Sequence, residues 1–165
     1  MQLSTRALLG IAAATGGALA LVFRKSVSPR QLVADIARSQ FGSSDNAKYW
    51  ASALPGINPG GLSWCGAFAL WALHQAGLAT TWLWQPGIGF ANTSTTKLPT
   101  TANPQMGDIA YFTTNQHYAV VLSVDPAART VELANGNGTG GKVTRSVVPF
   151  SSVYAFFSIA PLVGA

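Results

Sequence analysis

The order of the sequence patterns is the feature that most restricts the fold of this chain. Helical patterns come first, and after Gly107 short runs rich in β-branched and aromatic residues predict strands. Helices followed by strands with short connections are typical of an α+β fold built on an antiparallel sheet. We expect strands at 108–113, 118–124, 130–134, 142–148 and 153–159.

Three helices are expected before these strands. The first begins with Ser28 as N-cap and Pro29 in the first turn, and it ends at Gly42. The other two are expected at 46–53 and from residue 63 or 64 to 76. The apolar stripe of the first helix is predicted to comprise Leu32, Val33, Ile36 and Ala37. The segments 55–61 and 80–105, rich in Pro, Gly and Thr, are expected to be irregular loops.

Composition excludes several classes of protein. Apolar residues make up 48% of the 165 residues and charged residues only 9%, the reverse of a disordered chain. A single cysteine excludes an internal disulfide framework and a cysteine-built zinc site, and the few other metal-binding side chains lead us to expect no metal or cofactor. From residue 26 onward, seven Lys/Arg stand against five Asp/Glu without a basic cluster, so nucleic-acid binding is not expected.

Residues 7–23 form an uncharged run of 17 residues between Arg6 and a basic pair at 24–25. As a helix at about 1.5 Å per residue it would span roughly 25 Å, slightly less than a hydrocarbon core of about 30 Å. Residues 1–25 are therefore expected to be a membrane anchor or a secretory signal peptide, and the remaining 26–165 to be one domain. The excess of positive charge after the run would place that end in the cytoplasm.

The sole cysteine, Cys65, is expected in the first turn of the third helix. Unpaired backbone N–H groups and the helix dipole stabilise negative charge there, so the pKa of the thiol should fall. Gly66 allows a substrate to approach the backbone, whose N–H groups are suited to bind a developing oxyanion. By position alone, a buried structural cysteine is an equally good interpretation.

A thiolate nucleophile needs a base, and helix geometry separates the two histidines. His74 lies nine residues after Cys65 on the same helix, about 180° round its axis. It is therefore expected to have a surface or packing role. His117 begins the expected strand 118–124, on the sheet that packs against the cysteine helix, and is expected to be the base.

The imidazole then needs an acceptor that fixes its tautomer. Alternation along the third expected strand places Val131, Leu133 and Asn135 on one face. If Val131 and Leu133 face the core, Asn135 emerges on the catalytic side and is the first candidate. Asn137 is the second candidate and Glu132 the third. Asn-Gly is also a common turn pair, so these asparagines have an ordinary turn interpretation as well.

Four segments resemble the CHAP-type cysteine peptidases and amidases, a papain-like, NlpC-related family with small phage and bacterial members. They are a nucleophile helix at 64–77 (WCGAFALW and QAG), a P-x-x-G-D strand at 104–112, a histidine strand at 117–121 and a closing N-G-N at 135–137. A similar lead-in precedes them at 36–46. The likeness covers about residues 30–160.

The resemblance implies a papain-like α+β fold and cleavage of amide bonds in peptidoglycan, without a cofactor, although some members bind calcium. It implies Cys65 as nucleophile, His117 as base and Asn135 as the residue that orients His117. Many members carry a glutamate at the position of Asn135. The neutral asparagine attracts the imidazolium less strongly than a glutamate does. Substrate contacts are expected from Trp64, Gly66, Asn137, Trp82 and Trp84.

We therefore expect a peptidoglycan hydrolase, either an endopeptidase or an N-acetylmuramoyl-L-alanine amidase. Residues 7–23 would tether it to the membrane, or it would be exported to the periplasm or cell envelope or be virion-associated. Three alternatives stay open. They are a wall-binding module that keeps the fold without catalysis, a structural membrane or virion component, and a cytoplasmic cysteine hydrolase that cleaves another amide.

Overall fold

The computed structural model describes residues 27–53, 62–78 and 98–164. Its helices are α1 (Pro29–Arg38), α2 (Asn46–Ala53), α3 (Cys65–Gln75) and α4 (Ala160–Val163). Its strands are β1 (Thr100–Thr101), β2 (Ile109–Phe112), β3 (His117–Asp125), β4 (Thr130–Gly138), β5 (Lys142–Pro149) and β6 (Ala155–Phe157). The expected α+β fold is confirmed.

The described strands form one antiparallel sheet in the order β1-β6-β2-β3-β4-β5. Strands β2 to β5 pair with their neighbours in the chain, and β6 returns to pair with the free side of β2. The prediction of an irregular loop over 80–105 is wrong at β1. This two-residue strand exists because it pairs with Phe156 and Phe157, a contact that local sequence does not reveal.

The first helix begins as predicted. The Ser28 hydroxyl accepts a hydrogen bond from the Gln31 backbone N–H at 3.2 Å, and Pro29 follows in the first turn. The helix ends at Arg38, before the turn that contains Gly42, whose φ is 83°. The predicted apolar stripe is wrong at Leu32, which is 39% exposed. The fully buried positions are Val33, Ala34 and Ala37.

The sheet has an apolar cluster on each face. Helix α3 is buried almost all round, as is typical of a central helix, and packs on the face formed by Tyr118, Val120 and Ala134. The opposite face carries a smaller cluster that comprises Ala110, Ala119, Val121, Val131, Leu133 and Phe156. Val131 and Leu133 therefore share a face as predicted, but not the face that contacts the helices.

A buried carboxylate joins the start of the chain to the sheet. Asp108 is fully buried and lies 2.7 Å from the guanidinium of Arg30 in α1. It also accepts hydrogen bonds from the backbone N–H groups of Gln105 at 2.8 Å and Ile159 at 3.0 Å. The side chain of Asp108 thus connects α1, the segment before β2 and the segment before α4.

Several predicted features lie outside the described residues. They are the apolar segment 7–23, the loop 55–61 and most of the loop 80–105. In the part of the chain that the structure describes, no helix is long and apolar enough to span a membrane. The division of the chain into 1–25 and 26–165 stays a prediction.

Candidate active site

The cysteine lies where the sequence places it, at the first residue of α3. Its side chain is 1% exposed, and the sulfur lies 3.8 Å from the Gln116 carbonyl oxygen and 3.5 Å from the Ser63 hydroxyl. The contact with Gln116 brings the start of α3 to the start of β3, whose first residue is His117. Two segments far apart in the sequence are thereby joined.

His117 is the central member of a chain of three side chains. Each of His117 and Cys65 shifts the pKa of the other, so the imidazole lies close to the sulfur, and its Nε2 lies 3.1 Å from Oδ1 of Asn135. Because Nε2 faces Asn135, Nδ1 is the ring nitrogen left for the sulfur. The half-buried imidazole therefore bridges the cysteine and the asparagine.

The direction of the Asn135 amide follows from its other contacts. Its Nδ2 donates to the carbonyl oxygen of Thr144 at 3.3 Å and to the hydroxyl of Ser146 at 2.9 Å. An amide NH₂ group only donates, so Oδ1 must be the atom that faces His117. Nε2 of His117 then carries a proton, which leaves Nδ1 of the neutral ring free to accept the proton of the thiol.

The pKa values of the cysteine and the histidine move in opposite directions. Burial acts to raise the pKa of the Cys65 thiol. The interaction with the positively charged His117, together with the contributions of Ser63 and the Tyr118 backbone, outweighs burial, so the pKa of the thiol is lowered overall. Burial acts to lower the pKa of His117, whereas the Cys65 thiolate and Asn135 raise it overall. The site thus favours a thiolate–imidazolium pair.

The choice of orienting residue follows from the sheet register. In the β3–β4 ladder Asn135 lies opposite Ala119, and His117 shares the face of Ala119 two residues away. The sequence argument placed Asn135 on the catalytic side if Val131 and Leu133 face the core. Both are fully buried, but in the cluster on the sheet face opposite the helices. Asn135 still reaches the imidazole because His117 lies on the same face of the sheet as Asn135.

The other two orienting candidates have different partners. The Asn137 Nδ2 donates to the Ser63 hydroxyl at 3.2 Å. The carboxylate of Glu132 accepts from Ser123 at 2.9 Å and pairs with Arg145 at 2.6 Å. Among the described contacts, neither side chain bonds to the imidazole.

The second histidine lies in a packing position, as expected. Nδ1 of His74 lies 2.7 Å from the hydroxyl of Ser52 in α2, and burial lowers the pKa of His74. It belongs to the contact between α2 and α3 rather than to the surroundings of the thiol.

The residues predicted to contact substrate have different positions. Trp64 is 3% exposed and its ring stacks on Tyr49 at 5.1 Å, which makes it a core packing residue rather than part of a cleft wall. Gly66 is buried within α3. Asn137 is half-buried beside Ser63. Trp82 and Trp84 lie outside the described residues.

A cavity of about 270 Å³ adjoins the His117–Asn135 pair. Its remaining lining combines apolar and hydrogen-bonding side chains from Phe112, Thr114, Asn115, Ser146 and Val148. Within the described ranges, no group of three or more His, Cys, Asp or Glu side chains is placed to hold a metal ion.

Sequence reasoning missed two polar neighbours of the site. Ser63 contacts the sulfur directly. In the sequence it is notable only for its position just before a helix start, where a serine usually indicates an N-cap. Ser146 fixes the Asn135 amide from the neighbouring strand β5. The contact between Asn135 and Ser146 depends on the strand register, which the sequence does not show.

The family comparison agrees with this geometry. The CHAP domain model matches residues 57–137, a span that contains Cys65, His117 and Asn135. Residues 57–137 are therefore similar to the CHAP domain family. Neither the curated proteins nor the solved structures give a match. CHAP domains are in general hydrolytic cysteine peptidases or amidases, and the family suggests peptidoglycan as substrate.

The sheet continues beyond the span that matches the CHAP domain model. Strand β5, which starts after residue 137, pairs with β4 and supplies the Thr144 and Ser146 contacts to the Asn135 amide. Strand β6 completes the sheet on the far side of β2. The candidate site therefore depends on residues on both sides of the end of the family match.

Proposed function

We propose that this protein hydrolyses an amide bond of peptidoglycan through a covalent thioester on Cys65. The observation that carries the proposal is the linked arrangement of Cys65, His117 and Asn135, in which the pKa of the thiol falls and that of the imidazole rises. A thiolate beside an imidazolium at a helix start is suited to nucleophilic attack on an amide carbon.

The proposed reaction has two halves. The Cys65 thiolate attacks the amide carbon, and the C–N bond of the tetrahedral intermediate breaks as His117 gives its proton to the leaving amine. Water then attacks the thioester, His117 accepts a proton from the water, and the C–S bond breaks. The products are an amine and a carboxylate, and the thiolate–imidazolium pair is restored.

Two groups support these steps without forming bonds to the substrate carbon. Asn135 accepts from Nε2 of His117 throughout, so Nδ1 stays directed at the reacting atoms. Unpaired backbone N–H groups at the start of α3 are suited to bind the oxyanion. The cavity beside His117 offers amide and hydroxyl groups to a peptide portion of the substrate.

The finer assignments belong to the same proposal. The bond cut is in the peptide part of the wall or at the sugar–peptide junction, so the enzyme is an endopeptidase or an N-acetylmuramoyl-L-alanine amidase. Because peptidoglycan lies outside the cytoplasmic membrane, we propose that residues 1–25 export or tether the domain, or that the protein is carried by a virion.

Digestion of purified cell walls tests the proposal. The intact protein should release new amino groups, and mass spectrometry of the fragments identifies the bond. Cys65→Ser and His117→Ala should lower release to background, because each removes one half of the reacting pair. His74→Ala is the matched control and should retain activity. Full activity in Cys65→Ser would refute the mechanism, and wall binding without cleavage by the intact protein would favour a binding module.

A further inference from the structure

We propose that Ser63 is a positioning residue for the Cys65 thiolate and that Asn137 sets the direction of its hydroxyl. The inference rests on the proposed function, because it concerns the same thiolate. Ser63 immediately precedes Trp64, the N-cap of α3. Its hydroxyl oxygen lies 3.5 Å from the sulfur of Cys65 and 3.2 Å from Nδ2 of Asn137.

The chemistry of the two partners decides which way the hydroxyl points. The NH₂ group of Asn137 only donates hydrogen bonds, so the Ser63 oxygen accepts from it. A hydroxyl has one proton, which is then available for the sulfur. A hydrogen bond donated to a thiolate stabilises the charged form. Ser63 thus supplies a neutral donor to the sulfur, in addition to the cationic donor His117.

The end of β4 is shaped so that Asn137 reaches Ser63. In a regular strand Asn135 and Asn137 would point to the same face, because side chains two residues apart do so. Here the β4–β5 register shifts between Asn135 and Gly138, and Asn137 has a φ of 54°. Asparagine is among the residues that tolerate this left-handed conformation best. The two amides therefore serve different partners, His117 and Ser63.

Close packing keeps this end of β4 beside the cysteine helix. A Cβ atom at Gly136 would lie 2.5 Å from Cβ of Phe68, which is three residues after Cys65 in α3. The strand approaches the helix more closely than any side chain at position 136 permits. Asn137, the next residue, is carried with it to the helix start.

The electrostatic surroundings of the sulfur allow the contribution of Ser63 to be measured. In the described part of the chain, His117 is the only charged group that acts on the pKa of Cys65. Burial opposes the thiolate, and the remaining favourable contributions come from the Ser63 hydroxyl and the Tyr118 backbone. Removal of the Ser63 hydroxyl should therefore raise the pH at which the thiolate forms.

The test is the pH dependence of Cys65 alkylation by iodoacetamide in the intact protein. The midpoint for Ser63→Ala should rise by about one pH unit, which lowers the rate below the midpoint about tenfold. Ser63→Thr, which keeps the hydroxyl, should restore the original midpoint. Asn137→Gly should also raise the midpoint, because the Ser63 hydroxyl loses its fixed direction. Glycine adopts the left-handed backbone conformation of residue 137 without strain, so the backbone should not change.

The double variant shows whether Asn137 acts through Ser63. In the Ser63→Ala background, Asn137→Gly should add no further shift, whereas additive shifts would overturn the proposed route. A midpoint unchanged in both Ser63→Ala and Asn137→Gly would overturn the inference altogether. Alkylation of the His117→Ala variant shows whether only the inference about Ser63 and Asn137 fails or whether the proposed function fails as well. If His117→Ala raises the midpoint, the catalytic pair stands; if it does not, the proposed function itself fails.

Discussion

At the scale of residues, the site depends on the fixed orientation of each hydrogen-bonding group. The Asn135 amide donates to Thr144 and Ser146, so its oxygen must accept from His117. The imidazole therefore presents its other nitrogen to Cys65. A neutral amide is sufficient for this orientation, but it attracts the imidazolium less than a carboxylate would.

The opposite pKa shifts predict a bell-shaped pH profile of kcat/KM for wall hydrolysis. Below the lowered pKa of Cys65 the thiol is neutral, and above the raised pKa of His117 the imidazole has lost the proton that the leaving amine needs. Activity should therefore be highest between the two apparent values, which belong to the pair. Asn135→Asp places a carboxylate beside Nε2 and should move the basic limb upward by about 1–3 pH units.

Proton NMR titration provides the control for this prediction. The chain has two histidines, so the His74 signal serves as an internal reference. Its pKa should stay the same in Asn135→Asp while that of His117 rises. A basic limb that does not move while the protein stays folded would show that His117 is not the proton donor.

At the scale of elements, strand β4 is the part of the fold that connects packing with the site. Ala134 packs with the helices, Asn135 contacts the histidine on the other face, and Asn137 contacts Ser63. The register shift between Asn135 and Gly138 allows side chains of one short segment to contact both His117 and Ser63. Small errors in the position of β4 should therefore affect both stability and activity.

Gly136→Ala tests this dependence. The added methyl group would lie 2.5 Å from Cβ of Phe68, so either β4 or α3 must shift. We expect a loss of about 1–3 kcal/mol in the free energy of unfolding, together with lower activity. Denaturant unfolding measures the first quantity. Gly164→Ala, whose added Cβ atom would lie 4.0 Å from the carbonyl oxygen of Ala160, should change the stability by less than about 0.5 kcal/mol. Equal stabilities of the two variants would contradict the packing argument.

At the scale of the whole molecule, the Arg30–Asp108 pair connects the first described helix to the sheet and to the C-terminal segment. Asp108 is buried and accepts from two backbone N–H groups in addition to Arg30. A buried charge of this kind contributes to stability only while all its partners are in place.

Asp108→Asn removes the negative charge while it keeps the shape of the side chain. The guanidinium of Arg30 then loses its ionic partner in a largely buried position, so we expect a loss of about 3–5 kcal/mol in the free energy of unfolding. Asp35→Asn breaks the exposed pair with Arg38 and should cost less than about 1 kcal/mol. Similar losses in the two variants would show that burial of the Asp108 pair has no special role.

Removal of residues 1–25 tests the predicted domain division. The described helices and strands lie between residues 29 and 163. We therefore expect the shortened protein to keep its thermal unfolding midpoint and its activity on purified walls, while its distribution between membrane and soluble fractions of the cell changes. Loss of folding in the shortened protein would contradict the division.

The sequence by itself determined the elements of the fold, because caps, turn residues and apolar periodicity are local properties. Ser28 and Pro29 marked the start of α1, and the expected start of the third helix at residue 63 or 64 lies within two residues of the observed start at Cys65. Helix geometry alone placed His74 away from the thiol. The same reasoning singled out Cys65, His117 and Asn135, which the fold brings together.

Only the tertiary structure decided which polar groups meet. Strand β1 exists through pairing with β6, and Asn135 rather than Glu132 or Asn137 contacts the imidazole. The contact of Ser63 with the sulfur and with Asn137 depends on an irregularity near the end of β4. A one-residue change of register reverses the face on which a side chain lies, and register is set by partner strands rather than by local sequence.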